Sequence, residues 1–184
     1  MRVFIAVLLP DDVIQVLGRH QHSVRPRITG VKWESPQKFH VTLKFLGSIG
    51  ERTLRHALEA TRECAEEFEP IPFTIGPIGG FPGMHKPRVL YYEFNSTRSL
   101  MLLKRRLDSI LAEQGVEPDR REFVPHITVA RAKGRVSIRP PLPRPEAVRG
   151  TVERLAVMES ITLPQGSRYR ALSVFALKGG PAQS

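Results

Sequence analysis

Twice in this chain a histidine is followed two residues later by a threonine within strand-forming apolar residues: Phe39-His40-Val41-Thr42-Leu43 and Pro125-His126-Ile127-Thr128-Val129. Successive side chains on an extended strand point to opposite faces, so His40 and Thr42 share one face, as do His126 and Thr128. If the two strands lie side by side, two imidazoles and two hydroxyls converge. Cleaving a phosphodiester needs a base for the attacking oxygen, an acid for the departing one, and donors for the charge that builds on phosphorus-bound oxygens. An imidazole, with an ordinary pKa of about 6.5, serves either proton role near neutral pH. The residues alone leave open which histidine is the acid.

The flanks match as well as the motifs. An aromatic residue stands shortly before each histidine (Phe39, Phe123), an apolar residue fills each intervening slot, and a basic residue follows (Lys44, Arg131). The histidines are 86 residues apart, nearly half of the 184-residue chain, which reads as a degenerate internal repeat. Strand parity sorts the neighbours: on an unbroken strand Lys44 faces the same side as His40 and is expected to hold a phosphate, whereas Arg131 needs a bulge or a strand end to reach in. Trp33, Phe39, Phe81 and Tyr169 are candidates for stacking on a base. An aromatic in a small domain is more often core.

The elements that must position these groups are legible from periodicity. Apolar residues recur at helical spacing over 51–68 (Leu54, Ala57, Leu58, Ala60, Cys64) and over 97–114 (Leu100, Leu103, Leu107, Ile110, Leu111), the latter ended by Gly115, and a further helix is predicted within 11–24. Strands are predicted over 2–8, 39–46, 72–78, 87–94, 126–131, 150–158 and 167–177. The expected fold class is α+β: bilobal, with two pseudo-symmetric, mostly antiparallel sheets, helices on their outer faces and a central cleft carrying one histidine strand on either wall. Residues 1–184 are read as one bilobal unit. The proline-rich run 138–145 is expected to be a connection and 179–184 a disordered tail.

Composition narrows the chemistry. Twenty-eight Lys and Arg against eighteen Asp and Glu give a net charge of +10, which favours a polyanionic partner, RNA or DNA above all. Cys64 is alone, so neither a disulfide framework nor a cysteine metal cluster is available, and a cytoplasmic setting fits. The apolar opening is stopped by Pro10-Asp11-Asp12 and reads as a buried first strand rather than a signal peptide. Neither motif has a carboxylate in register for a metal, and no phosphate-binding loop for ATP or dinucleotide-binding turn occurs. No metal, cofactor or membrane is implied.

These residues resemble the two-histidine phosphoesterases, most closely the RNA 2′,3′-cyclic phosphodiesterases, also called 2′-5′ RNA ligases. The resemblance spans nearly the whole chain. It rests on Arg2-Val3-Phe4-Ile5-Ala6-Val7, on Trp33 leading to His40-Val41-Thr42-Leu43-Lys44-Phe45-Leu46-Gly47, on Phe123 to Arg131, and on Glu159-Ser160 followed by Gly166-Ser167-Arg168-Tyr169. It implies that His40 is the proton donor, that His126 is the proton acceptor activating water, and that Thr42 and Thr128 bind phosphate oxygens. Lys44, Arg131, Phe39 and Tyr169 are then the expected substrate contacts. The implied substrate is RNA with a 2′,3′-cyclic phosphate end, tRNA fragments included, opened to a 2′-phosphomonoester by a monomer; ATP-independent 2′-5′ joining is the implied reverse activity. The alternatives are a phosphodiesterase for small cyclic phosphates of a nucleotide or ADP-ribose, and an RNA-binding protein without turnover.

Overall fold

The computed structural model describes residues 1–164 and 166–180. Its strands are β1 (Arg2–Leu8), β2 (Ile28–Trp33), β3 (His40–Ser48), β4 (Ile71–Phe81), β5 (Val89–Ser96), β6 (His126–Ile138), β7 (Arg149–Val152), β8 (Arg154–Leu163) and β9 (Gly166–Ala176); its helices are α1 (Asp11–Val24), α2 (Glu51–Glu67) and α3 (Arg98–Glu113). The α+β class and the antiparallel pairing are as expected. Two elements are not. Strand β2 is missing from the sequence prediction, because Gly30 at φ 78° interrupts its alternation, and the run expected as one strand over 150–158 is split into β7 and β8.

The strands are hydrogen-bonded in the order β7-β4-β5-β6-β3-β1-β8-β9, with β2 pairing β6 off this path, and every ladder is antiparallel. The two expected sheets are therefore halves of one: β3-β1-β8-β9 and β6-β5-β4-β7, joined where Val41 pairs with Ile127. Extending the register of that pair sets His40 across from Thr128 and Thr42 across from His126.

All three helices pack on one side of this sheet. Val41, Leu43, Ile127 and Val129 join Leu17 of α1, Ala57 and Cys64 of α2 and Leu103 and Leu107 of α3 in a continuous core. Two helix ends carry clear local signals. Asp11 and Asp12 sit at the positive end of α1. Helix α3 stops at Gly115 (φ 80°), whose N–H donates to Ala112 O while Val116 N–H donates to Leu111 O, the paired bonds that satisfy the last carbonyls. Burial pushes the Cys64 thiol up to about 12, so it is an inert core residue. None of the described helices is long and apolar enough to cross a membrane.

The first strand and the proline-rich run also have defined places. Strand β1 is buried along its middle, as the sequence suggests. The run after Ile138 connects β6 to β7, tied down by Arg139 N–H to Arg27 O and by a 3.0 Å contact of His20 Nε2 with Pro143 O. Of the tail expected from 179, Gly179 and Gly180 form a turn in which Gly180 N–H donates to Leu177 O, and 181–184 lie outside the described residues.

Candidate active site

With the helices on one face, the face bearing His40, Thr42, His126 and Thr128 is left concave, and the four side chains line one cavity of about 190 Å³. Glu34, Lys38, Phe45, Phe81, Val89, Arg131 and Tyr169 complete its wall.

The two histidines are held in the same way. His40 Nδ1 lies 2.6 Å from Lys38 O and His126 Nδ1 lies 2.7 Å from Val124 O, the carbonyl two residues earlier in each case. A carbonyl only accepts, so Nδ1 carries the hydrogen and Nε2 is the atom that gives or takes a proton in the cavity. Thr42 Oγ1 is 3.0 Å from His40 Nε2. Each ring is also wedged by two aromatics: His40 by Phe4 and Tyr169 at 5.0 and 5.4 Å, His126 by Phe81 and Tyr91 at 5.0 and 5.4 Å. Phe4 and Tyr91 stand on β1 and β5, the outer neighbours of the two histidine strands. The wedging holds the ring planes and takes each ring partly out of water. Accordingly both imidazoles lie below their ordinary 6.5: burial is the main cause, opposed by the carbonyl hydrogen bond at each.

A second symmetric feature decides which neighbours face the cavity. Ala6 pairs with Thr42 but Ile5 pairs with Lys44, so Leu43 is an extra residue in β3; Tyr91 pairs with Thr128 but Leu90 with Ala130, so Val129 is extra in β6. These bulges reverse the parity of the residues beyond them. Both strands consequently show the same burial sequence over their first six residues, ending in two buried positions and one exposed. The positional counterpart of Arg131 is Phe45, not Lys44.

Lys44 is therefore not a cavity residue, contrary to the parity reading. Only 3% exposed, it points to the helical side, donates to Glu117 O at 2.8 Å and pairs with Asp119 at 3.0 Å. Phe39 is also misplaced by the sequence reading: it is 3% exposed in the core, edge-on to Tyr92. Trp33 packs on the core, with the Arg25 guanidinium 5.6 Å from its ring. Arg131, Tyr169 and Phe81 do line the cavity.

Glu34, Lys38 and Phe45 were not among the expected contacts. Glu34 and Lys38 lie between β2 and β3, where periodicity carries no signal; their spacing before His40 was the available clue. Gln21 of α1 fixes this segment by donating Nε2 to Glu34 O at 2.7 Å. The Glu34 carboxylate then stands 3.6 Å from Lys38 Nζ and 3.4 Å from Arg131 Nε.

Known proteins resemble this chain in sequence and fold. A family model described as LigT like Phosphoesterase matches residues 7–91. The RNA 2′,3′-cyclic phosphodiesterase of Methanothermobacter thermautotrophicus is 30% identical, with 96% of this chain and 99% of that protein covered. This chain belongs to the LigT-like phosphoesterases. A second member, the RNA 2′,3′-cyclic phosphodiesterase of Thermus thermophilus, is 34% identical over 97% of this chain and 91% of its own. The LigT-like fold is also seen in a solved structure of a Thermus thermophilus protein, 31% identical, with a TM-score of 0.85 and coverage of 97% of this chain and 99% of that one. Escherichia coli LigT in apo form, 23% identical with a TM-score of 0.74 over 96% of this chain and 97% of that one, shares the fold.

Proposed function

We propose that this LigT-like phosphoesterase is an RNA 2′,3′-cyclic phosphodiesterase that opens cyclic phosphate ends to 2′-phosphomonoesters by acid–base catalysis between its two histidines. The observation that carries this reading is the pair of Nε2 atoms, each on an imidazole anchored through Nδ1, lining one small cavity with the two threonines. The relatives from Methanothermobacter thermautotrophicus and Thermus thermophilus are RNA 2′,3′-cyclic phosphodiesterases.

The charges around the cavity support the division of labour. Glu34 favours the protonated form of His40, where Arg131 and His126 oppose it, and Arg131 favours the neutral form of His126. His40 is then the acid and His126 the base. His126 Nε2 takes the proton of the attacking water, the oxygen bonds to phosphorus, and the bond to O3′ breaks as His40 Nε2 delivers its proton to that oxygen. Thr42 and Thr128 donate to the phosphoryl oxygens, and Arg131 and Lys38 offset their charge. Both rings are then reset by one proton exchange with solvent. Beside His40 the cavity opens into a groove of about 420 Å³ bearing Arg2, Lys32 and Lys38 with Phe4, Phe45 and Tyr169, where the strand carrying the cyclic end lies. With a net charge of +10 the protein attracts RNA ends generally, tRNA fragments among them, and it works as a cytoplasmic monomer.

Incubation of the purified protein with a cyclic-phosphate-ended oligonucleotide in chelator, followed by identification of the phosphomonoester, tests this. A 2′-phosphate is the expected product. Turnover of cyclic mononucleotides alone would move the substrate to the small cyclic phosphates, and binding without hydrolysis across pH 5 to 9 would leave an RNA-binding protein.

A further inference from the structure

Beyond Arg131, β6 leaves its ladder with β5 and continues with β2 as a two-stranded ribbon that ends at the Ile28–Ile138 pair. The two segments that build it, 25–33 and 131–139, hold seven of the chain's 28 Lys and Arg and none of its 18 Asp and Glu. Resting on the proposed action on RNA ends, we infer that this ribbon is a docking surface for the phosphate backbone of the RNA body, which holds long substrates by nucleotides well away from the cyclic end.

The ribbon has a dry side and a wet one. Ile28 is in the core and Val31, Val136 and Ile138 pack against it, which fixes the ribbon to the molecule. Lys133, Arg135 and Arg139 are exposed, as are Thr29 and Ser137, which stand opposite each other and offer hydroxyl donors. One irregularity pushes the charge outward. Between the Thr29–Ser137 and Val31–Ala132 pairs, Gly30 alone faces the four residues 133–136 of β6. Arg135 O comes within 2.1 Å of where a Cβ on Gly30 would be, so this close approach requires glycine, and Lys133, Gly134 and Arg135 form an exposed basic bulge over it.

These cations are not neutralised by the protein. Arg62, Arg106 and Arg170 elsewhere each pair with a glutamate, but among the described residues Arg27, Lys133, Arg135 and Arg139 have no carboxylate partner. The Arg139 guanidinium donates to Pro26 O, a contact that leaves its charge in place. A charge or two is enough to keep an edge strand from pairing with another chain, and four exceed that need. Position settles which polyanion fits. Lys32 and Arg131, directly opposite each other at the near end of the ribbon, line the 420 Å³ groove assigned to the strand that carries the cyclic end. A strand leaving that groove passes onto the ribbon, which extends at most about 26 Å from Arg131 to Arg139 at strand rise, room for several phosphates. Contacts of this kind position the backbone and read no sequence.

The experiment compares wild type with R27A/K133A/R135A, and with K133A/R135A, on two substrates: a cyclic-phosphate-ended dinucleotide, too short to reach the bulge, and a single strand of about twenty nucleotides with the same end. At low salt wild type is expected to show a KM at least about ten-fold lower for the long strand. Both variants should lose much of that gain, the triple variant more, with kcat unchanged and hydrolysis of the dinucleotide within about two-fold of wild type. Anisotropy of the fluorescent long strand, carrying a 2′-phosphate in place of the cyclic end, should show the same loss, with a salt slope smaller by about two in the triple variant. The inference is overturned if length brings wild type no gain, if the triple variant keeps the gain, or if both substrates are lost in parallel. If wild type hydrolyses neither substrate the proposed function fails instead, and the binding measurement still decides for or against the ribbon. The variants change exposed side chains only, and equal melting temperatures establish that each is folded.

Discussion

Replacing His126 with alanine should lower kcat by about 10² to 10⁴, and His40→Ala should do so by a similar factor, because each removes one partner of a concerted proton transfer. The double variant should lose far less than the product of the two factors, since either loss alone breaks the relay. The pH profiles discriminate between the roles. With both imidazoles held below their ordinary 6.5 by burial, kcat/KM of the wild type should be bell-shaped with its maximum on the acid side of 6.5. An acid must be protonated, so its titration produces the alkaline limb; a base must be neutral, so its titration produces the acid limb. His40→Ala should therefore abolish the alkaline limb and His126→Ala the acid limb. The opposite pattern would exchange the roles, and unchanged activity in either variant would remove the mechanism.

The second large effect lies on the other side of the sheet. Asp119 accepts from Lys44 at 3.0 Å and from Lys104 at 2.9 Å, both lysines being almost wholly buried. Lys104 also pairs with Asp108, but among the described residues Lys44 has only the Glu117 carbonyl besides. Asp119→Ala thus leaves a buried ammonium without a counter-charge. Loss of one partner of a buried pair costs about 3 to 5 kcal/mol, and because Asp119 is 40% exposed and water can enter, the expectation is the low end, about 3 kcal/mol. Urea denaturation should show a lower midpoint with an unchanged slope. Activity should fall too, since these contacts pin the segment that leads to Val124, whose carbonyl holds the His126 ring. The pH dependence has a definite sign. Although burial pushes the Asp119 carboxyl up, Lys104 and Lys44 hold it below its ordinary 3.8. Its contribution is therefore complete above about pH 4 and is lost as pH falls through the lowered value, so wild type and variant should converge in acid. A change under about 0.5 kcal/mol at neutral pH would contradict this role for Asp119.

What the sequence made legible, and what it did not, comes down to the range of each physical signal. Strand β1 is legible at its true bounds, and helix α1 within the span expected to contain it, because an apolar run and an amphipathic stripe are local patterns closed by local stops. The shared face of His40 with Thr42, and of His126 with Thr128, was equally local, since parity over two residues survives any distortion further along. Lys44 defeated the same rule because a bulge costs one residue of register and leaves no mark in the sequence, while Arg131 reaches the cavity through the bulge that its parity required. Only the repeat itself held a clue, and it was misaligned: matching the basic residues set Lys44 against Arg131, whereas the backbone matches Phe45 with Arg131. Phe39 shows the converse problem. Adjacent to His40, it nonetheless belongs to the opposite face, where the same parity rule sends it into the core. Glu34 and Lys38 reach the cavity through a turn whose path is set by contacts with α1 and β6, and such long-range contacts have no periodicity to read.

The mechanism depends on both Nε2 atoms facing one phosphorus. The most direct test is to follow the ¹⁵N-labelled imidazoles of the wild-type protein by NMR while titrating in a nucleoside 2′-monophosphate. Both Nε2 resonances, assigned with the His40→Ala and His126→Ala proteins, should shift with the same binding curve, and both rings should titrate higher than in the free protein because the phosphate favours their charged forms. A response from one ring only, or from neither, would contradict it.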